Sequence, residues 1–154
     1  MKTTFAERPV VILMVEDNPT DVLIAREGFV GATRMLNTLH VADDGIEAIE
    51  FLNQRGKYAG APRPDLIVLD LNMPRMNGQE VLAEIKADEN LKTIPVVILS
   101  TSKSADDIGK AYGLHANCFI SKPVDFDEFT EVVQRIQDFW FSLVTLPSEG
   151  QRWT

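Results

Sequence analysis

The stretch LIVLDLNMPRMNGQEVLAEI, residues 66–85, carries the plan of the whole chain. Leu66 to Leu69 form a short, wholly apolar run, the pattern of a strand covered on both faces. Asp70 closes the run, and Asn72-Met73-Pro74 has the composition of a turn. Gly78 then opens a helix in which Val81, Leu82 and Ile85 fall on one face. A strand, a polar turn and an amphipathic helix in that order make one β–α unit.

The same unit recurs on both sides. Apolar runs at Val10–Val15, Asn37–Ala42, Val96–Leu99 and Cys118–Ile120 predict four more strands, the second being the most polar and the other three reading as buried. Helix signals fill the gaps. Asn18-Pro19 is a cap and first-turn pair, and Asp44 with Glu47 has capping-box spacing ahead of Ile46, Ile49 and Leu52. Ser104 with Asp107 opens a helix carrying Ile108, Ala111 and Tyr112, which Gly113 stops, and a fifth helix starts near Asp125. Five β–α units joined by right-handed crossovers predict an α/β fold with a doubly wound parallel sheet, strand order 2-1-3-4-5, of the flavodoxin-like (βα)₅ kind. Arg55 to Pro64, with two glycines and two prolines, reads as a loop before the third strand.

At 154 residues the chain has the length of one domain, able to bury a core without disulfides. Residues 1–9 read as an N-terminal extension, 10–143 as the domain, and 144–154 as a C-terminal arm and tail. The apolar share of 45% and charged share of 25% are those of a globular protein. Asp and Glu outnumber Lys and Arg by 23 to 15 with no local basic patch, which argues against nucleic acid and anionic membranes as partners. A single cysteine, Cys118, and the lack of a signal-like or spanning apolar stretch point to the cytoplasm.

Ligands of an open parallel sheet bind beyond the carboxyl ends of its strands. The first polar residues there are Glu16-Asp17, Asp70, Ser100-Thr101 and Ser121-Lys122. Three carboxylates brought together raise one another's pKa unless a cation neutralises them. Oxygen ligands without a Cys/His cluster suit Mg²⁺ rather than zinc, and His40 and His115 stand apart from the set. Taken singly, each of these residues has an ordinary reading: a helix cap, a turn acid, a solvated lysine. Their joint occurrence is what carries weight.

Together, the acidic pair after the first strand, the run D-L-N-M-P-R-M-N-G at 70–78, Ser100 and Lys122-Pro123 resemble response-regulator receiver domains over roughly residues 10–143. The resemblance implies that Asp70 is the phosphoacceptor and that Glu16, Asp17, Asp70 and the carbonyl of Asn72 hold Mg²⁺. It makes Ser100, with Thr101 beside it, the switch hydroxyl, Lys122 the phosphate-pairing lysine and Phe119 the aromatic that follows the switch. It also implies a cis Lys122-Pro123 peptide and a phosphohistidine donor on a sensor histidine kinase. Ser102 and Asn72 would flank the water that removes the phosphoryl group. The chain is then expected to be a signalling switch, not an enzyme beyond accepting and losing its own phosphoryl group. With no output domain after the receiver in this sequence, a protein contact or onward phosphotransfer is the expected output.

The last helix carries Phe126, Phe129, Val133, Ile136, Trp140 and Leu143 along one seam. Phe139, Phe141, Val144 and Leu146 add apolar material up to Pro147. Either the arm folds back on its own domain, or it pairs two copies with Trp140 as an anchor. The segment F-W-F-S-L-V-T-L-P at 139–147 is similar to arms of single-domain response regulators that accompany phytochrome-type sensor kinases and pair as homodimers. The loop Lys57 to Pro64 and L-H-A-N-C-F at 114–119 share in that resemblance.

Rival readings fare worse. A flavin carrier of this topology needs Ser, Thr and Gly after the first strand, where Glu16-Asp17-Asn18-Pro19 would repel a phosphate. An aspartate-nucleophile phosphatase of the haloacid dehalogenase type needs a second aspartate two residues past Asp70, and Asn72 stands there. The remaining alternative is an interaction module of the same fold that works without phosphorylation.

Overall fold

The computed structural model describes residues 9–31, 37–143 and 146. Five parallel strands, β1 (Val10–Val15), β2 (Asn37–Ala42), β3 (Leu66–Leu69), β4 (Val96–Ser100) and β5 (Cys118–Ser121), pair in the order β2-β1-β3-β4-β5. In register, Val15 lies beside Ala42 and Leu69, and Leu69 beside Ile98, so the carboxyl ends of the central strands are level.

Alternation along each strand splits the core in two. Leu13, Val15, Ile67, Leu69, Val96 and Ile98 face α2 (Gly45–Leu52), α3 (Gly78–Ala87) and α4 (Ala105–Gly113). Val10, Ile12, Met14, Leu66, Val68 and Leu99 face α1 (Pro19–Arg26) and α5 (Phe126–Asp138). The doubly wound expectation therefore holds.

Each helix starts where its cap places it. Asn18 accepts from the N–H groups of Thr20 and Asp21, Ser104 from those of Asp106 and Asp107, and Asp125 from that of Glu128. Asn77 and Glu80 form a reciprocal capping box on α3. Asp44 caps α2 through the Glu47 N–H, but the Glu47 side chain turns to Tyr58 and Lys57, so the expected box is only half made.

Four details depart from the sequence reading. β4 and β5 each run one residue further, taking in Ser100 and Ser121, because ladder hydrogen bonds continue beyond the apolar run. β5 is half-buried throughout, since it is an edge strand. Ile46 and Phe126 are exposed instead of lying on the buried faces of their helices. Among the described residues no peptide bond is cis, so Lys122-Pro123 is trans, the isomer favoured even before proline by about 0.5–1 kcal/mol.

The described part of the arm packs largely on its own domain. A wider, π-helical turn, Phe139–Leu143, continues α5, and Trp140, Phe141 and Leu146 are buried in the core between α1, α5 and the sheet. Among the described side chains of the arm, Phe139 keeps about half its surface exposed, at 49%. In the single chain the Trp140 ring lies in the core of its own domain. Val144 and Pro147 lie outside the described residues.

Candidate functional site

β1 delivers Glu16 and Asp17 to the rim of the sheet, and β3 delivers Asp70 beside them. Backbone ladders fix the positions: the Glu16 N–H donates to the Ala42 carbonyl at 3.0 Å and the Asp70 N–H to the Val15 carbonyl at 3.0 Å. One carboxylate oxygen from each of Glu16, Asp17 and Asp70 lies within 4.8 Å of the others. Glu16 and Asp70 are buried, whereas Asp17 is exposed at the mouth of an open cleft of about 470 Å³. Leu71, Asn72, Met73, Pro74, Asn77, Gln79 and Asp107 also line that cleft.

The turn after Asp70 is held by close backbone approach. The Gly78 N–H donates to the Leu71 carbonyl at 2.9 Å, and a Cβ on Gly78 would collide with the Asp70 carbonyl oxygen and sit 2.7 Å from the Leu71 Cα. Only glycine fits there. Arg75, in the left-handed region at φ 65°, is tied to Asp44 through Nε at 2.8 Å and a second guanidinium nitrogen at 2.7 Å. That bridge anchors the turn to the start of α2. The exposed Asn72 sits on this turn, two residues past Asp70.

Lys122, just beyond β5, reaches across the rim. Its Nζ donates to Glu16 Oε1 at 2.7 Å and to Asp21 Oδ2 at 2.8 Å, and lies 3.7 Å from Asp70 Oδ1. Burial drives the Glu16 carboxyl up to about 7, helped by the charge of Asp70 and opposed by Lys122. Burial likewise raises Asp70, against Lys122 and the N–H groups of Asn72 and Leu71. On Lys122 burial acts downward, but the hydrogen bonds it donates to Asp21 and Glu16 and the charge of Asp70 outweigh it and the pKa is raised. Burial makes the charged forms of Glu16 and Asp70 costly, and a cluster of carboxylate oxygens of this kind suits a hard divalent cation. Such an ion would also supply the charge that one lysine cannot.

Ser100 is fully buried at the end of β4, and its Oγ accepts from the Ser102 N–H at 3.3 Å. The Ser102 hydroxyl donates to Asp107 at 2.6 Å and accepts from the Ser104 N–H, which chains the loop to the first turn of α4. Thr101 is exposed beyond it. Phe119 lies half-buried on β5 against the α2–α4 side of the core, and its N–H donates to the Tyr112 hydroxyl at 3.1 Å. Glu16, Asp17, Asp70, Ser100 and Lys122 thus lie at the carboxyl end of the sheet, with Phe119 two residues before the end of β5.

Sequence reading missed Asp21. It stands in the first turn of α1, where an acid is commonplace because it complements the helix dipole. Its place one turn after the acidic pair, on the same rim, was the available signal.

The family model for the response regulator receiver domain matches residues 12–134. The response regulator Rcp1 of Synechocystis sp. is 45% identical over 140 residues, covering 91% of this chain and 95% of Rcp1. A solved structure of the phosphorylated cyanobacterial phytochrome response regulator RcpA superposes with a TM-score of 0.89 at 46% identity, covering 92% of this chain and all of that one. The Mn²⁺-bound form of Rcp1 gives a TM-score of 0.87 at 44% identity, covering 91% and 100%.

Proposed function

Because this chain belongs to the response regulator receiver domain family, we propose that it is a single-domain response regulator whose Asp70 accepts a phosphoryl group from a sensor histidine kinase. The observation that carries the reading is the meeting of Glu16, Asp17 and Asp70 within 4.8 Å, with Lys122 buried against them. A divalent cation fits that donor set, and we take it to be Mg²⁺, held by the three acids and the Asn72 carbonyl. When bound, it neutralises charge on the acids and on the incoming phosphoryl oxygens.

In the transfer, an Asp70 carboxylate oxygen attacks phosphorus in line, the P–O bond forms as the P–N bond breaks, and the bonding pair returns to the donor imidazole, which leaves neutral because its other ring nitrogen already carries a proton. Lys122 pairs with a phosphoryl oxygen. The Ser100 hydroxyl leaves the Ser102 N–H to donate to another, and the loop to α4 follows it. Phosphorylation brings about −1.5 to −2 charges to the site, enough to require that rearrangement. Phe119 then shifts, altering the face made by α4, β5 and α5. This self-directed chemistry is the extent of its catalysis.

RcpA is a phytochrome response regulator, and its 46% identity to this chain supports a phytochrome-type kinase as the donor. Purified, phosphorylated sensor kinases of phytochrome and other types, each mixed with wild type and Asp70→Asn, test the proposal. Fast transfer from the phytochrome type to wild type, and none to Asp70→Asn, is the expected result. Transfer to Asp70→Asn overturns the acceptor assignment, and preference for another kinase type overturns the pairing.

The edge also supports a homodimer. Beside β5, Cys118, Ile120, Val132, Arg135, Ile136, Trp140 and the half-exposed Phe139 line a mostly apolar groove of about 230 Å³. A second copy docking its own Phe139 region there would cover both.

A further inference from the structure

Lys122 is engaged before any phosphoryl group arrives. An ammonium has three donors, and two of them are spent at charge-assisted lengths, 2.7 Å to Glu16 and 2.8 Å to Asp21. Asp70, at 3.7 Å, is an ion-pair neighbour beyond hydrogen-bond reach. Glu16 belongs to the set of acids that can share a cation, whereas Asp21 does not. Once Glu16 serves an ion, Asp21 is the remaining close partner of the lysine. The placement is stiff, since Asp21 lies in the first turn of α1, pinned by the Asn18 cap and Pro19. The side chain of Asp21 is mostly buried, at 17% exposure, so solvent screens the pair only in part.

We propose that Asp21 is a positioning residue that competes with the phosphoryl group for Lys122, holding the ammonium on the α1 side and restraining phosphoryl uptake at Asp70. The inference rests on the phosphoacceptor reading and adds a built-in brake to it. Removing the Asp21 charge releases Lys122 toward Asp70, which favours an anion there and disfavours a cation. A residue that merely supported the fold would weaken both.

The test uses beryllofluoride, an inert mimic of the phosphoryl group, at saturating Mg²⁺, with binding followed by fluorine NMR and Mg²⁺ affinity measured separately by calorimetry. Asp21→Asn is expected to bind beryllofluoride about three- to tenfold more tightly, with Mg²⁺ affinity equal or lower, while Asp21→Glu stays within about twofold of wild type. In a Lys122→Met background the Asp21→Asn gain is expected to vanish. Unchanged or weaker beryllofluoride binding by Asp21→Asn, or a gain that survives without Lys122, overturns the brake alone. A wild type that takes up no beryllofluoride overturns the phosphoacceptor reading and the brake together.

Discussion

Glu16 is 1% exposed and faces Asp70, and burial is the larger reason its pKa rises to about 7. Below that pH its carboxyl keeps a proton that a divalent ion must displace; above it the competition ends. Apparent Mg²⁺ affinity is therefore expected to rise with pH up to about 7 and then level off, by at most about tenfold per pH unit. Calorimetric titrations on either side of neutrality check this, and equal affinities would contradict it. Stability runs the other way in metal-free protein. The folded state binds this proton more tightly than the unfolded chain, whose glutamate has its ordinary pKa of 4.5, so stability falls as pH rises from there to about 7. Added Mg²⁺ should offset the loss above neutrality. These acids were legible as single residues after apolar runs. Asp21 was not, because a first-turn acid has a sufficient local role and only the fold shows that Lys122 lies across from it.

Elements carry the site by their ends. The turn from Asp70 to Gly78 has no slack, since a Cβ at Gly78 meets backbone instead of a side chain that could move. Gly78→Ala is expected to cost about 1–3 kcal/mol in urea unfolding and to weaken Mg²⁺ binding as the Asn72 segment is displaced. Asn77→Ala, one residue earlier, removes the capping box and should cost about 1 kcal/mol while leaving the ion site in place. The loop after β4 makes a second case. Ser100→Ala should still be phosphorylated yet lose the phosphorylation-dependent change at α4, seen as unchanged amide shifts at Ala105–Gly113. Strands β1, β2 and β3 could be read to the residue from their apolar runs. β4 and β5 were read one residue short, because Ser100 and Ser121 look like loop by composition while the ladder carries them as strand.

At the scale of the molecule, the alternation of strands and helices was enough to give the sheet order, because right-handed crossovers leave few other arrangements. The arm was not settled in that way. An apolar segment reads alike whether it covers its own core or a partner's, and the choice depends on space that only the packed fold defines. Here Trp140 and Leu146 enter the molecule's own core while Phe139 stays half outside. Two substitutions separate those roles. Trp140→Ala should destabilise the fold by about 3–5 kcal/mol in urea. Phe139→Glu should leave unfolding nearly unchanged and shift a dimer to monomer in light scattering; an unaltered mass would remove Phe139 from the interface.

Everything else depends on whether Glu16, Asp17 and Asp70 share one ion at the rim of the sheet. Anomalous diffraction from crystals soaked in Mn²⁺, a stand-in for Mg²⁺, addresses that directly. The expected result is one peak in contact with carboxylate oxygens of Glu16, Asp17 and Asp70 and with the Asn72 carbonyl, at coordination distance from each. No peak there, or one held by acids elsewhere on the surface, would contradict it.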